Sequence, residues 1–267
     1  MAINRGTYEG DIQEIEFVRS FNKNKQNTIF SILTDKLNYN LDNIYMVRVT
    51  TNQFSKLSNK ITKTRSDCYV VYSEDAQIKN VLKENDYYLN EYNIKNLNHK
   101  IIEKSGISVK MSDSDKYQIL KTGPNSFHSL FGNYELGAGA SLFCSKNEEL
   151  IKNSDLLKGW NTSEELMIKY FSNFNINHED FISNKYICSK IKTYCNRKIE
   201  ELINNSEELK QIIFNGYPIY QEPYCAWYIF SHGKLERLSY IPFTVTTGSG
   251  RSHGDYTIVL KPKKEDC

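Results

Sequence analysis

The sequence predicts an α/β protein with a central mixed β-sheet flanked by helices, a helical region and a C-terminal β-region. Three observations lead to this prediction. Short runs of β-branched and aromatic residues recur in the first half of the chain, with helical patterns between them. Residues 147–212 are almost wholly helical in pattern, and from Phe214 the character returns to β. We expect segments 1–146, 147–212 and 213–267 to pack together as one domain.

The composition is that of an ordinary globular protein of 267 residues, with 39% hydrophobic and 25% charged residues. The formal net charge is +2, so no global basic field indicates a polyanionic partner. The six cysteines form no Cys-x-x-Cys pair and the N-terminal segment is not apolar, which predicts a reduced, cytoplasmic protein. No stretch reaches the length of a membrane span, so we expect no membrane partner.

Alternating helices and strands are predicted for the first half of the chain. An amphipathic pattern covers 10–22, and 28–37 forms a second short helix. The strand candidates are rich in β-branched and aromatic residues and lie at 44–50, 68–72 and 107–111. Between the first two strands, the segment 52–66 is polar and basic. It predicts a loop or hairpin that can contact phosphates.

The segment that follows residue 110 carries helix signals. Ser112 or Ser114 is a suitable N-cap for a helix through Lys121, with Gly123-Pro124 ending it. Gly-Ala-Gly-Ala at 137–140 is too irregular for a phosphate-binding loop.

Near the C-terminus, turn residues 231–234 separate two β-rich runs and predict a hairpin. A polar, glycine-rich loop at 246–255 precedes a last strand at 256–260. Trp160 and Trp227 are predicted to lie in the core.

Two stretches in the first half carry the candidate chemistry. Thr64-Arg65-Ser66-Asp67 places a carboxylate at the start of one apolar strand, and Gly106-Ile-Ser-Val-Lys110 ends another strand on an amine. An acid and an amine on neighbouring strands can hold a divalent metal beside a phosphate and position the attacking water. Each signal is common by itself, and the alternative interpretation is an ordinary strand end.

The order of these motifs resembles type II restriction endonucleases of the PD-(D/E)XK nuclease superfamily. The matching residues are Ser58-x-Lys60, Thr64-Arg65-Ser66-Asp67, Ile-Ser-Val-Lys110, Lys116-Tyr-Gln-Ile and the N-terminal helix Gly10…Glu14. The resemblance covers roughly the first half of the chain. It implies a restriction-endonuclease-like sheet and Mg²⁺-dependent, sequence-specific hydrolysis of phosphodiester bonds in double-stranded DNA.

The resemblance also implies roles for the catalytic residues. Asp67 would bind the metal, and Lys110 would orient the nucleophilic water and offset developing negative charge. Ser108 stands where the family usually has Glu or Asp, so the site has one acidic charge fewer than expected.

Mg²⁺ is the implied cofactor, with Asp67, the backbone carbonyl of Val109 and Glu14 as its predicted ligands. Glu16 is the alternative to Glu14 as the helix acid. Glu14 or Asp113 are the alternatives for replacing the charge that is missing at Ser108.

Double-stranded DNA is the implied partner, and a palindromic site would be cut most simply by a homodimer. The predicted DNA-binding residues are Lys60, Lys63, Arg65, Lys116, Gln118, Lys121, Arg251 and His253. Arg251 is chosen because a guanidinium can bond guanine bidentately in the major groove. Two alternatives stay open: a structure-specific or repair nuclease on the same fold, and a non-catalytic DNA-binding or partner-binding protein in which Ser108 marks a lost metal site.

Overall fold

The computed structural model describes residues 5–110, 117–238, 241–247 and 256–263. The chain divides into two compact units, each built from two segments. The first unit contains Met1–Asp115 and Phe214–Ile241, and the second contains Lys116–Ile213 and Pro242–Cys267. The predicted C-terminal segment 213–267 is therefore shared between the two units.

Both predicted element types are present, and their order along the chain is mixed α/β. The strands are β1 Ile44–Arg48, β2 Gln53–Ser55, β3 Lys60–Thr62, β4 Cys68–Tyr72, β5 Lys100–Ile101, β6 Ile107–Val109, β7 Leu120–Thr122, β8 Tyr228–Ser231, β9 Lys234–Arg237, β10 Phe243–Thr247 and β11 Ile258–Pro262. The α-helices are α1 Arg5–Lys23, α2 Ser31–Thr34, α3 Ala76–Glu84, α4 Glu91–Ile94, α5 Pro124–Phe131, α6 Glu135–Ser141, α7 Asn147–Leu150, α8 Asn153–Gly159, α9 Glu164–Tyr170, α10 Asp180–Ser183, α11 Lys185–Asn204 and α12 Glu207–Lys210. Short 3₁₀ turns lie at Thr28–Phe30, Leu41–Asn43 and Ser172–Phe174, and a π-helical turn at Gln211–Asn215.

The first unit is organised around a mixed sheet of six strands in the order β1-β4-β6-β8-β9, with β5 pairing with β4. β4 runs antiparallel to both β1 and β6, whereas β6 and β8 are parallel. The hairpin β8–β9 closes through Ser231↔Lys234, as the turn residues predict. The prediction of a central mixed sheet flanked by helices is confirmed.

Alternation along the central strands buries side chains on both faces of this sheet. Met46 and Val70 lie on one face, in a cluster with Phe17 and Phe21 of α1. The opposite face packs against α3 and α4, through side chains of β1 and β4 at the intervening positions. Strands that are buried on both faces read as continuous apolar runs, which explains why β1 and β4 are recognisable in the sequence.

The second unit combines helices with a three-stranded sheet in the order β10-β11-β7, in which both pairs are antiparallel. The long helix α11 packs against α6 and β10. The Gly-Ala-Gly-Ala run lies inside α6, and its glycines allow close packing. A Cβ atom at Gly137 would lie 2.2 Å from the Trp160 ring, and one at Gly139 would lie 2.5 Å from Cys195 Sγ.

The prediction of a helix through Lys121 is wrong for the residues that the structure describes. Leu120–Thr122 is strand β7, in which Leu120 and Thr122 are buried and Lys121 is exposed. Leu120 pairs with Leu260, a partner far along the chain. Pro124 occupies the first turn of α5, so it begins a helix, consistent with the preference of proline for that position.

Within the described part of the chain, no helix is both long and apolar enough to cross a membrane.

Gly106 provides a test of the packing behind β6. A Cβ atom there would lie 1.9 Å from the backbone oxygen of Cys225, which cannot move as a side chain can. We expect Gly106→Ala to lower the free energy of unfolding of the first unit by about 3 kcal/mol, the upper end of the usual cost of overpacking. Urea unfolding followed by Trp227 fluorescence, in a Trp160→Phe background, would measure this because each unit holds one tryptophan.

Gly10→Ala is the matched control. Gly10 lies within α1, and a Cβ atom added there would have nothing within 4 Å of it. Alanine is favoured over glycine in a helix, so this change should stabilise the unit by about 1 kcal/mol. Equal stabilities for the two alanine variants would contradict the close approach at Gly106.

Candidate active site

Asp67 immediately precedes β4 and is held by neighbouring strands on both sides. Its N–H donates to Ile107 O at 2.8 Å, and its carbonyl accepts from Val49 N at 2.9 Å. Its carboxylate oxygen Oδ2 accepts from Ser108 Oγ at 3.0 Å and from Val109 N at 2.7 Å. Among the described residues, the other carboxylate oxygen, Oδ1, has no hydrogen-bond partner. The carboxylate is therefore fixed in orientation with one oxygen available.

The carbonyl of Val109 is directed to the same side as Asp67. Backbone groups of Gly106 and Lys110 bond to β8, whereas those of Ile107 and Val109 bond to Asp67. In a β-strand the N–H and C=O of one residue point to the same side. Since Val109 N–H meets the Asp67 carboxylate, its carbonyl oxygen faces the same region.

Lys110 follows β6 directly, and its N–H donates to Phe230 O at 2.8 Å, so the extended geometry continues through it. Side chains two residues apart in a strand lie on the same face. The Lys110 side chain is therefore on the face from which Ser108 reaches Asp67. Within the described residues, its ammonium has no ion-pair or hydrogen-bond partner.

A polar cleft of about 230 Å³ opens beside Asp67, entirely within the first unit. Three carboxylates and two cationic side chains contribute to it, together with hydroxyl and backbone groups of the segments on either side of the β2–β3 hairpin. The lining residues are Asp11, Glu14, Arg48, Val49, Thr50, Thr51, Asn52, Lys63, Thr64, Ser66 and Asp67.

Arg48, at the end of β1, joins two acids of α1. Its Nε donates to Glu14 Oε2 at 2.7 Å, and its Nη2 donates to Asp11 Oδ1 at 2.6 Å. Burial raises the pKa of Glu14, and the negative charge of Asp67 raises it further, against the opposing effect of Arg48. Although burial alone would lower the pKa of Arg48, the charge of Glu14 and its hydrogen bond raise it. Arg48 therefore remains charged and orients both carboxylates.

The two helix acids considered from the sequence are separated by the structure. Glu14 lines the cleft. Glu16 instead accepts from Arg19 Nη1 at 2.7 Å, in an exposed pair on α1. Asp11, which sequence reasoning did not single out, lies three residues before Glu14, a spacing that places both on one helix face.

Glu14 should make stability depend on pH in a defined direction. Because its pKa is raised on folding, the folded state binds the proton more tightly than the unfolded state does. The wild type should therefore gain stability relative to Glu14→Gln as the pH falls from 7 to 4. Urea unfolding of both proteins across this range measures the difference. A wild type that loses stability relative to Glu14→Gln on acidification would contradict the raised pKa.

Glu91 organises the segment after β1, although its sequence context carries no signal for this role. Its Oε2 accepts from the backbone N–H and the hydroxyl of both Thr50 and Thr51, at 2.8–3.1 Å. Its Oε1 accepts from the Tyr224 hydroxyl at 3.2 Å. A charged acceptor with this many donors holds the rim of the cleft in one conformation.

The predicted DNA-binding residues of the first unit have different surroundings. Lys60 and Lys63 are exposed, and Lys63 lines the cleft. The stem of Arg65 packs against Gly216, where a Cβ atom would lie 2.5 Å from Arg65 Cγ, and burial lowers the pKa of Arg65. Arg65 thus contacts the segment that precedes β8.

The remaining predicted residues lie elsewhere. Gln118 and Lys121 belong to the second unit, and both are exposed. Those that fall outside the described residues are Asp113, Lys116, Arg251 and His253.

The residues around Asp67 fit Mg²⁺ in part. Asp67 Oδ1 is available and the Val109 carbonyl faces it, and Mg²⁺ prefers oxygen ligands and retains several waters. One oxygen of Glu14 is occupied by Arg48, and Ser108 donates its hydroxyl proton to Asp67. In the described ranges, no three His, Cys, Asp or Glu side chains converge closely enough to hold a metal by themselves. Water and substrate oxygens would have to complete the coordination.

No protein-family model matches the sequence, and no curated protein matches it significantly.

Proposed function

We propose that this protein is a Mg²⁺-dependent endonuclease that hydrolyses phosphodiester bonds in double-stranded DNA at specific sequences. The observation that supports this most directly is the pairing of β4 with β6. It brings the Asp67 carboxylate against Ser108 and Val109, one residue before Lys110, at the edge of a polar cleft. An oriented acid that could hold a metal ion, with an amine on the adjacent strand, suits metal-assisted hydrolysis of a phosphodiester.

In this proposal Asp67 Oδ1 and the Val109 carbonyl would hold Mg²⁺, and Glu14 would contact it through water. The ion would supply Lewis-acid polarisation of the phosphate and a more acidic bound water. Lys110 orients the attacking water and offsets the negative charge that develops on the phosphate oxygens. Ser108 keeps Oδ2 of Asp67 hydrogen-bonded and so keeps Oδ1 directed at the site.

The rim of the cleft supplies groups that suit a DNA backbone. Lys63 offers a cation and Asn52 offers a side-chain amide next to the carboxylates. The N–H and hydroxyl groups of Thr50 and Thr51 are instead bonded to Glu91, and the Thr64 hydroxyl is bonded to Ser66 O. Contacts from such a cation and amide fix the register of a duplex without reading its sequence. They would place a scissile phosphate near Asp67.

The deciding experiment is incubation of the purified protein with phage DNA in Mg²⁺ or EDTA, beside Lys110→Ala. We expect discrete bands that require Mg²⁺ and disappear in the variant. A smear would retain the nuclease and remove the sequence specificity. Intact DNA with every divalent metal tried would overturn the proposal.

The second candidate is a non-catalytic DNA-binding protein, and one observation favours it. Arg48 bonds both Glu14 and Asp11 and neutralises the acids that would otherwise strengthen a metal site that has Ser108 in place of an acid. On this interpretation, Asp67 serves mainly to join β4 to β6.

Metal binding separates the two candidates. Titration calorimetry with Mn²⁺ should detect a site in the wild type that is lost in Asp67→Asn if the nuclease proposal holds. Absence of any such site, with duplex DNA still bound in EDTA, would favour the non-catalytic candidate.

A further inference from the structure

The β2–β3 hairpin presents an apolar pair to solvent. Phe54 and Ile61 are direct cross-strand partners and are 56% and 73% exposed. Their strand neighbours face the other way: Ser55 is buried and the Thr62 hydroxyl bonds the Tyr220 hydroxyl at 2.6 Å, whereas Lys60 is exposed. Two large apolar side chains side by side on an outward face form a small contiguous apolar patch, which is the kind of surface feature that marks a binding site.

The base of the hairpin is held by the segment that precedes β8. The Tyr220 hydroxyl also donates to Lys63 O at 3.1 Å, Ser66 Oγ donates to Pro223 O at 2.9 Å, and Arg65 N donates to Tyr224 O at 3.2 Å. A two-stranded hairpin is marginal in water without such support. These contacts therefore present the pair on an anchored ribbon.

The charged side chains of the hairpin are all positive. Residues 51–66 contain no Asp or Glu, whereas Lys56, Lys60 and Lys63 are all exposed. The same segment continues into the cleft beside Asp67, through the lining residues Thr51, Asn52, Lys63 and Thr64. The hairpin thus carries an apolar pair together with lysines, next to the candidate active site. Duplex DNA is complementary to such a surface, because it presents negatively charged phosphates beside apolar base steps.

We propose that this hairpin binds duplex DNA by inserting Phe54 and Ile61 at a base step, while its lysines contact the flanking phosphates. The inference rests on the proposed function, because it places a duplex across the cleft. Apolar side chains that enter a base step partly unstack it and kink the duplex, and the lysines gain from counterion release. A second copy of the hairpin fits less well, because both surfaces would carry only positive charge.

The test uses duplexes that carry 2-aminopurine at successive positions, with Ca²⁺ in place of Mg²⁺ so that the DNA stays intact. The wild type should increase 2-aminopurine fluorescence at one step. Phe54→Ala/Ile61→Ala should remove that increase and weaken binding about tenfold, with an unchanged dependence on salt. Lys56→Ala/Lys60→Ala should keep the increase and reduce the slope of log K against log salt by about 2.

Tyr92→Ala is the matched control, because Tyr92 is also 73% exposed and lies on α4, outside the hairpin. It should change neither signal. Phe54→Trp gives a second measurement, in which stacking on a base should quench the new tryptophan. Circular dichroism should be unchanged in all variants, since the replaced side chains are exposed.

Equal affinity and equal 2-aminopurine response in Phe54→Ala/Ile61→Ala would overturn the hairpin proposal and leave the nuclease proposal standing. Loss of a dimer in sedimentation, with DNA binding unchanged, would assign the pair to self-association and also overturn it. Wild-type protein that binds DNA in Ca²⁺ but leaves the same DNA intact in Mg²⁺ would overturn the nuclease proposal alone. Wild-type protein that binds no DNA would overturn both.

Discussion

Asp67→Asn should reduce Mg²⁺-dependent DNA cleavage about a thousandfold while the protein stays folded. The amide oxygen can still accept from Val109 N and Ser108 Oγ, so the contact between β4 and β6 is retained. On the proposed function, what disappears is the negative charge that would hold the ion beside the phosphate. Single-turnover cleavage rates at saturating Mg²⁺ would measure the loss, and Mn²⁺ titration would show whether the metal still binds.

Asp35→Asn is the matched control for this change. Asp35 is exposed, follows α2, and is not among the residues that line the cleft. Its substitution should leave cleavage and metal binding unaltered. Cleavage by Asp67→Asn within about tenfold of the wild type would show that the catalytic metal is held elsewhere.

Asn22→Ala should lower the free energy of unfolding of the first unit by about 4 kcal/mol, because it leaves several buried backbone groups unpaired. Asn22 is 5% exposed, and its amide accepts from Met46 N at 2.8 Å and donates to Met46 O at 2.9 Å. It also donates to Tyr87 O at 3.1 Å. One side chain thus replaces the neighbouring strand that β1 lacks on this side of Met46.

Two further variants sharpen this test. Asn22→Asp has nearly the same shape but cannot donate to the carbonyls when ionised, so a similarly large cost would assign the effect to hydrogen bonding and not to packing. Asn24→Ala, at an exposed position after α1, should change stability by less than about 0.5 kcal/mol. Urea unfolding followed by Trp227 fluorescence suits all three variants. A cost for Asn22→Ala close to that of Asn24→Ala would contradict the structural role.

The elements that the sequence predicted well are strands that are buried on both faces and hairpins whose strands are joined by their own turn residues. Residues 44–47 and 68–72 are continuous apolar runs, because both faces of the central sheet are covered by helices. The hairpin around 231–234 and the hairpin within 52–66 are specified by turn residues between their own strands. Asp67 and Lys110 could be identified because each adjoins such a strand.

The residues that only the tertiary structure assigns have partners far along the chain. β7 is a strand because Leu120 pairs with Leu260, and no local pattern outweighed the helix signals around it. The sequence around Arg48 did not predict its bonds to Glu14 and Asp11, because these bonds depend on α1 and β1 packing together.

Arg65 and Ser108 mark the same limit at the candidate site. The sequence predicts that Arg65 contacts phosphate, and the structure shows that its stem packs against Gly216. The sequence indicates that Ser108 replaces an acidic residue, and the structure shows that its hydroxyl bonds and orients the Asp67 carboxylate. Sequence by itself determined the strands that are buried on both faces or joined by their own turn, and the acid and the amine that adjoin such strands, because burial and turn propensity are local properties. The three-dimensional pairing of distant segments decided which side chains meet at the site, because long-range contacts leave no period in the sequence.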